Sequence, residues 1–374
     1  MPDSTNLPRW GETPWVIDFR PEPAPLPETL DFVVIGGGFT GLSVAACLRS
    51  LNPEKSVAVF EAVTIGARSS GRTGGLTLNE TAAGDLPGLG DVLTGFASIL
   101  GTLEAHCDLT LPGVSELDRS AETAHSAIRW TDSGQLRVAR EVPGGTANPG
   151  KLVSGLARAA VARGALVFEN ARVDQIDYGD PLTLQVRGRR IQAERILIAT
   201  NAESLELSAL AERARPKLTL AMVTQPVSEE KLHSLGLASS KPFYTIDLPY
   251  LWGRLLNGNQ IMFGSGLVSV NNWRELATLD VSVGEARALM DRLEKRVHTL
   301  HPALADIDIS HRWAGPILIA EASRPIFSYH PKDSRIIVLG AYSGHGVALS
   351  VYLGKWAAEA LLNEREPPVW NSGG

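Results

Sequence analysis

The sequence predicts an α/β fold in which a Rossmann-type dinucleotide-binding domain is interrupted by an α+β domain with a mainly antiparallel sheet. Three observations predict it. Residues 31–61 read as strand, glycine turn, helix and a second strand ending on an acid. Apolar runs of the kind buried in parallel sheets return at 195–202 and 335–339. Between them lie short strands punctuated by turn residues, the pattern of an antiparallel sheet.

Composition narrows the class. At 374 residues the chain has room for two domains. A hydrophobic content of 44% and a charged content of 20% are globular values. The net charge of −6 argues against a nucleic-acid partner, which requires a basic face. No apolar run reaches the ~18 residues of a membrane span, and residues 1–20 lack the apolar core of a signal peptide. Cys47 and Cys107 form no disulfide framework, and no metal site is expected. A reduced, cytoplasmic setting is the expectation.

Residues 1–30 form an extended arm, because Pro14, Pro21, Pro23, Pro25 and Pro27 forbid a helix. Trp10 and Trp15 are expected to pack the arm onto the surface, with contact at an active-site mouth as the alternative. Residues 31–35 then make a buried strand, and Gly36-Gly37-Gly38-Phe39-Thr40-Gly41 follows at once. Residues 42–51 continue as an apolar-rich helix, and 56–60 are the next strand. Gly36 supplies the tight turn, Gly38 lets the backbone approach a pyrophosphate, and Gly41 lets helix and strand pack closely. The diphosphate sits on free N–H groups at the helix N-terminus. Glu61, about 20 residues further on, accepts hydrogen bonds from an adenosine ribose. A glycine turn in an ordinary α/β domain is the alternative. The flanking strand, helix and acid together favour the dinucleotide.

Ala62 leads into Arg68-Ser69-Ser70-Gly71-Arg72-Thr73-Gly74-Gly75, read as a loop lying along a phosphate-bearing cofactor. Its glycines admit close backbone approach and its arginines balance charge. A solvated loop is the alternative. Residues 89–103 read as a helix, and 127–130 and 135–139 as strands around Asp132-Ser133-Gly134. Asn148-Pro149 opens a helix to about residue 163. Strands follow at 165–168 and 172–176, and 195–202 returns to the first domain. Beyond Pro216 come short strands at 218–224, 243–246, 250–254 and 260–264, with Asn257-Gly258-Asn259 as a hairpin turn. Residues 283–299 make an amphipathic helix stopped by His301-Pro302, and 309–315 a further strand. The dinucleotide domain is thus assigned 31–88, 145–215 and 315–374, and the second domain 89–144 and 216–314.

The chain closes on a buried strand, the turn Gly340-Ala341-Tyr342-Ser343-Gly344-His345-Gly346-Val347, and a helix over about 348–362. A helix N-terminus framed by glycines suits a partial negative charge on a cofactor. A tight turn capped by histidine is the alternative. Candidate substrate contacts are Tyr250, Trp252, Arg254, His311, Trp313, Tyr342 and His345. Aromatic rings suit a cationic or apolar amine, and Arg254 or Arg72 would fork a carboxylate. Core packing is the alternative for each aromatic, and a solvated face for Arg254.

Five runs, 34–43, 70–75, 148–152, 198–202 and 342–347, occur in the order found in a known family. Through them the chain resembles the FAD-dependent amine and amino-acid oxidoreductases of the D-amino-acid oxidase superfamily, most of all the γ-glutamylputrescine-oxidase branch. The resemblance implies a glutathione-reductase-like FAD domain and a mainly antiparallel substrate domain. It places Gly36, Gly38, Phe39, Thr40, Gly41, Glu61 and Ala62 at the ADP half, and Arg68 to Gly75 along the pyrophosphate and flavin ring. Val173 would contact adenine, Thr200 and Asn201 the diphosphate, and Gly340 and Gly344 to Val347 the flavin pyrimidine edge.

It further implies hydride transfer from a carbon next to nitrogen onto flavin N5, giving an imine that hydrolyses. The partners are then a small amine or amino acid, and O₂ or another acceptor that reoxidises the flavin. A flavin dehydrogenase of a hydroxy acid or polyol phosphate competes with this reading, as does a non-catalytic FAD-binding subunit of a larger dehydrogenase. Three departures stand out. The segment before Asn148 is short, the acid after the final Trp-x-Gly is missing, and no lysine lies between Trp252 and Gly266 to assist oxygen. A dehydrogenase therefore stands beside an oxidase. No cysteine lies where relatives tether flavin, so the FAD is expected to be noncovalent. The oligomeric state is left open, a homo-oligomer included.

Overall fold

The computed structural model describes residues 9–119 and 126–371. Two eight-stranded sheets organise the described chain. The first runs in the order Ile326–His330, Asp333–Gly340, Arg189–Ile198, Thr29–Ile35, Val57–Phe60, Leu166–Phe168. Its strands pair in parallel from Asp333–Gly340 to Leu166–Phe168. The first half of Arg189–Ile198 instead pairs antiparallel with Leu182–Val186, which pairs with Val173–Asp177. Val33 and Val34 are wholly buried, as a strand covered on both faces requires. The helices Phe39–Leu51, Pro149–Ala162 and Gly346–Leu361 share one core on that sheet. Asn148 caps the second of them, its side chain accepting from Lys151 N at 3.1 Å with Pro149 in the first turn.

The second sheet runs Ile309–Ala320, Ala214–Thr224, Gln260–Ser269, Trp252–Leu256, Phe243–Thr245, Val114–Asp118, Gln135–Val142, Arg129–Thr131. Neighbours are antiparallel except Phe243–Thr245 against Val114–Asp118. The expected hairpin at Asn257-Gly258-Asn259 joins Trp252–Leu256 to Gln260–Ser269, with Gly258 at φ +78°. Register decides which side chains face the first domain. Trp313, Ala221, Gly264, Trp252 and Tyr244 stand opposite one another in one row, and Val223, Met262 and Arg254 in the next.

Several expectations are corrected. Ile309–Ala320 stays paired with Ala214–Thr224 through Ala320, so 315–320 belong to the second sheet. One strand thus spans the junction where the sequence put a boundary. The helix Val92–Leu103, assigned to the second domain, packs Val92, Phe96, Ile99, Leu100 and Leu103 into the first core instead. A separate ribbon pairs Leu76–Leu78 with Gly144–Thr146. Within the 62–75 loop, Ser69–Arg72 makes one helical turn. Trp10 and Trp15 do pin the arm onto the body, but as buried rings, 1% and 9% exposed. Among the described residues no helix is long and apolar enough to cross a membrane, and no acid, His or Cys cluster could hold a metal ion.

Candidate cofactor and substrate site

A groove opens at the carboxyl ends of Thr29–Ile35, Val57–Phe60 and Arg189–Ile198, where parallel α/β sheets bind ligands. Its walls include Gly36, Gly38, Glu61, Ala62, Arg68, Ser69, Ser70, Val173, Thr200 and Asn201, all predicted from sequence. The glycine turn shapes it. Gly36 sits at φ +111°, and a Cβ there would lie 2.6 Å from Ala199 O. A Cβ on Gly41 would lie 1.9 Å from Gly36 O, so this glycine sets the contact between helix and turn rather than lining the groove. Phe39 also stays out of the lining: its ring is in the core and its N–H donates to Ser70 Oγ at 2.9 Å.

Glu61 is buried, with Oε2 accepting from Gly37 N at 2.8 Å and Oε1 from Val63 N at 2.9 Å. Burial pushes its carboxyl above the usual range, against the pull of those two donors. Asn201 ties three segments together. Its amide donates to Ser69 Oγ at 3.1 Å and its oxygen accepts from Ala341 N at 3.0 Å, beside Gly340. Sequence reasoning missed Glu203, which pairs with Arg68 at 2.6 Å and shares the groove wall. An acid in the turn after a strand gives no local signal for that role.

Beyond the groove, the 66–75 loop and the closing turn lead to the junction with the second sheet. Gly71 and Gly75 leave no room for a side chain, their added Cβ atoms meeting Gly66 O at 2.3 Å and Ala147 O at 2.2 Å. Gly74 lies under the Trp252 indole, a Cβ there falling 2.3 Å from Cζ3. Thr73 follows the helical turn in extended conformation. At the closing turn, Gly344 adopts φ +95°, and His345 stands at the N-cap of the helix Gly346–Leu361 with Nδ1 buried and unpartnered. Burial holds its imidazole below the ordinary 6.5. Val347 turns into the core.

Arg254 stands at this junction. It is 6% exposed, donates from Nη1 to Ala147 O at 3.2 Å, and leaves Nε buried without a partner. Among the described residues no carboxylate pairs with it, and burial pushes the guanidinium down to about 10. It remains a cation at neutral pH.

Residues 31–360 match the family described as DAO, FAD dependent oxidoreductase. The chain belongs to that family. Over 388 residues it is 28% identical to γ-glutamylputrescine oxidoreductase of Escherichia coli, spanning 90% of this chain and 85% of the relative. It is 25% identical to probable oxidoreductase OrdL of Rhizobium meliloti, over 89% of this chain and 83% of the relative. Among solved structures, glycine oxidase from Geobacillus kaustophilus superposes with TM-score 0.72 at 18% identity, covering 92% of this chain and 97% of the other. L-Proline dehydrogenase from P. horikoshii gives 0.71 at 18%, with the same coverage. Both share the fold.

FAD is therefore the cofactor, and the residues present fit it. Thr200 Oγ1 on the groove wall and His345 Nδ1 at the turn are buried polar atoms with no protein partner. The glycines of the groove keep its wall close-packed, since a Cβ on Gly36 would meet Ala199 O at 2.6 Å and one on Gly38 would meet Ser70 Oγ at 2.7 Å.

Two residues of the predicted substrate set in this DAO-family chain are reassigned by their surroundings. Arg72 donates to the carbonyls of Ala314, Trp10 and Gly11, so its guanidinium binds backbone and is not a carboxylate fork. The cause is the arm, whose carbonyls reach it first. Tyr342 is buried in the first core, and its hydroxyl shares a 2.7 Å hydrogen bond with Thr40 Oγ1. Neither Tyr342 nor Thr40 is part of the groove wall. Tyr250 precedes its strand and is 52% exposed, and its carbonyl accepts from Arg296 at 2.8 Å. Trp313 faces the junction wholly buried, while His311 bonds Ser310 Oγ at 3.0 Å. Tyr342→Phe should lower stability by about 1 kcal/mol, the worth of one buried hydrogen bond, and leave the rate of flavin reduction unchanged. Thermal melts beside anaerobic stopped-flow would check this. A slowed reduction at unchanged stability would return Tyr342 to the reaction.

Proposed function

We propose that this FAD-dependent oxidoreductase oxidises the C–N bond of a small amine that carries a carboxylate, an amino acid in the simplest case. The observation that carries the reading is Arg254. A guanidinium 6% exposed, without a carboxylate partner among the described residues, costs several kcal/mol to bury. A ligand carboxylate would offset that cost through a two-pronged contact. Arg254 shares the junction with Gly74 and Gly75, expected along the flavin ring, and with Trp252, a candidate substrate contact. Relatives named for γ-glutamylputrescine, glycine and L-proline support a nitrogen-bearing substrate.

Bound FAD supplies the hydride acceptor, at N5. The chain's own residues then have three tasks: Arg254 would orient the substrate by its carboxylate, Trp252 and Trp313 would exclude water, and His345 with its helix N-terminus would hold the pyrimidine edge. Val173, Glu61 and the glycine turn would hold the adenosine end. We take the FAD to be noncovalent, since Cys47 and Cys107 are both buried in the first core.

An anaerobic visible spectrum titrated with amino acids, simple amines and hydroxy acids tests the proposal. The flavin should bleach with at least one amino acid and with no hydroxy acid. Bleaching by a hydroxy acid alone would overturn it. Admitting air then separates the acceptors: fast recovery with peroxide marks an oxidase, slow recovery a dehydrogenase.

A further inference from the structure

Trp15 belongs to none of the five family-like runs, yet it is buried at the junction. Three apolar clusters occur among the described residues, and the smallest consists of Trp15, Ala221, Val223, Met262 and Trp313, with Leu76, Trp252 and Leu256 packed against it. Trp15 is the member that the arm contributes. Its ring meets Trp313 edge-on at 5.5 Å, its Nε1 donates to Gly71 O at 2.8 Å, and the Arg254 guanidinium lies 6.0 Å from its ring centre.

The arm holds Trp15 in that place from both sides. Trp10 O accepts from Ala314 N at 2.7 Å and from Arg72 at 2.8 Å, and Trp10 Nε1 donates to Leu276 O at 3.0 Å. Past Trp15, Val16 O would lie 2.2 Å from a Cβ on Gly150, and Asp18 N donates to Ser154 Oγ at 3.0 Å. The second sheet fixes one flank of the indole and the helix Pro149–Ala162 the other. A segment needed only to cover surface has no use for an indole inserted beside an unpaired buried arginine.

We infer that Trp15 is a wall of the substrate pocket and a specificity-determining residue, limiting the bulk of the carboxylate substrate held by Arg254. This rests on the amino-acid reading above. In the sheet row facing the arm, Ala221 and Gly264 are small and stand between Trp313 and Trp252. Trp252 fills the space over Gly264, a Cβ there falling 2.0 Å from Cζ2. Trp15 closes the side over Ala221 and Met262 and lies across the face of Arg254. A substrate carboxylate on Arg254 then leaves its side chain confined between indoles.

The test uses FAD-loaded wild type, Trp15→Leu and Trp15→Ala. Acetate and benzoate are titrated against each, with the flavin visible difference spectrum as readout, and glycine and phenylalanine are compared as anaerobic reductants. Opening the wall should shift the ratio of benzoate to acetate affinity toward benzoate by about tenfold or more, and the reduction ratio toward phenylalanine likewise. FAD content should stay unchanged. Trp15→Leu keeps an apolar plug and serves where the alanine variant does not fold. Equal weakening of both carboxylates, or no change in either ratio, would overturn the wall and leave the amino-acid reading standing. A wild type that binds neither carboxylate and is reduced by no amino acid would sink both.

Discussion

Gly41→Val should strip the protein of most of its FAD. A Cβ at Gly41 would sit 1.9 Å from Gly36 O and 3.0 Å from Val34 Cγ1, and the first of these is backbone that cannot rotate away. Relief requires the helix Phe39–Leu51 to move off the strand Thr29–Ile35. That movement displaces the free N–H groups expected to face the diphosphate. Gly36 is itself tied to the sheet, its N–H donating to Phe60 O at 2.9 Å. Overpacking of this kind costs about 1–3 kcal/mol. Placed between turn and helix, it weakens FAD binding by roughly 5- to 150-fold at tenfold per 1.4 kcal/mol. Flavin-to-protein absorbance of the purified variant, and FAD affinity by fluorescence quenching, would show it. Gly101→Ala is the control: its Cβ meets nothing within 4 Å in the helix Val92–Leu103, so FAD should be retained. Wild-type FAD affinity in Gly41→Val would mean that the glycine turn is not the nucleotide site.

The parts of this molecule that are legible in its sequence are those whose chemistry is local. Gly36, Gly38, Gly41 and Glu61 belong to one strand–helix–strand unit, so spacing alone constrains them. Asn148-Pro149 opens its helix for the same reason, cap and first turn being adjacent. The misreadings come from contacts between residues far apart in the chain. Nothing within the arm reveals that Trp15 meets Trp313, or that Arg72 is claimed by Trp10 O and Gly11 O before any ligand arrives. Tyr342 stands in a glycine-rich turn that suggests exposure, but its hydroxyl ends on Thr40, 302 residues away. Ile309–Ala320 defeats a boundary drawn by composition, since a continuous apolar strand carries no mark where it leaves one neighbour for another. Arg254 is legible in the sequence only as one candidate among several. Period-two alternation gives its parity in the strand, and only the sheet's position says which parity faces the junction.

Arg254→Met offers the sharpest separation of stability from function. A group kept for packing should cost stability when removed. A charge kept for a ligand should cost function and release its burial penalty. Among the described residues Arg254 has one hydrogen bond, to Ala147 O at 3.2 Å, an unpartnered Nε, and burial that pushes it down to about 10. Methionine fills a similar volume without charge, so the unfolding midpoint should hold or rise. Reduction of FAD by an amino acid should fall steeply, because truncating one side of a buried charge pair costs about 2–5 kcal/mol, or roughly 30- to 5,000-fold in kcat/KM. Arg254→Lys keeps a charge and loses the planar fork, so it should fall in between. A simple amine without a carboxylate should be indifferent to all three side chains. If instead Arg254→Met unfolds readily while reducing FAD with amino acids at the wild-type rate, the guanidinium serves only to bridge the second sheet to Ala147. The carboxylate subsite, and the amino-acid reading built on it, would then have no residue to stand on.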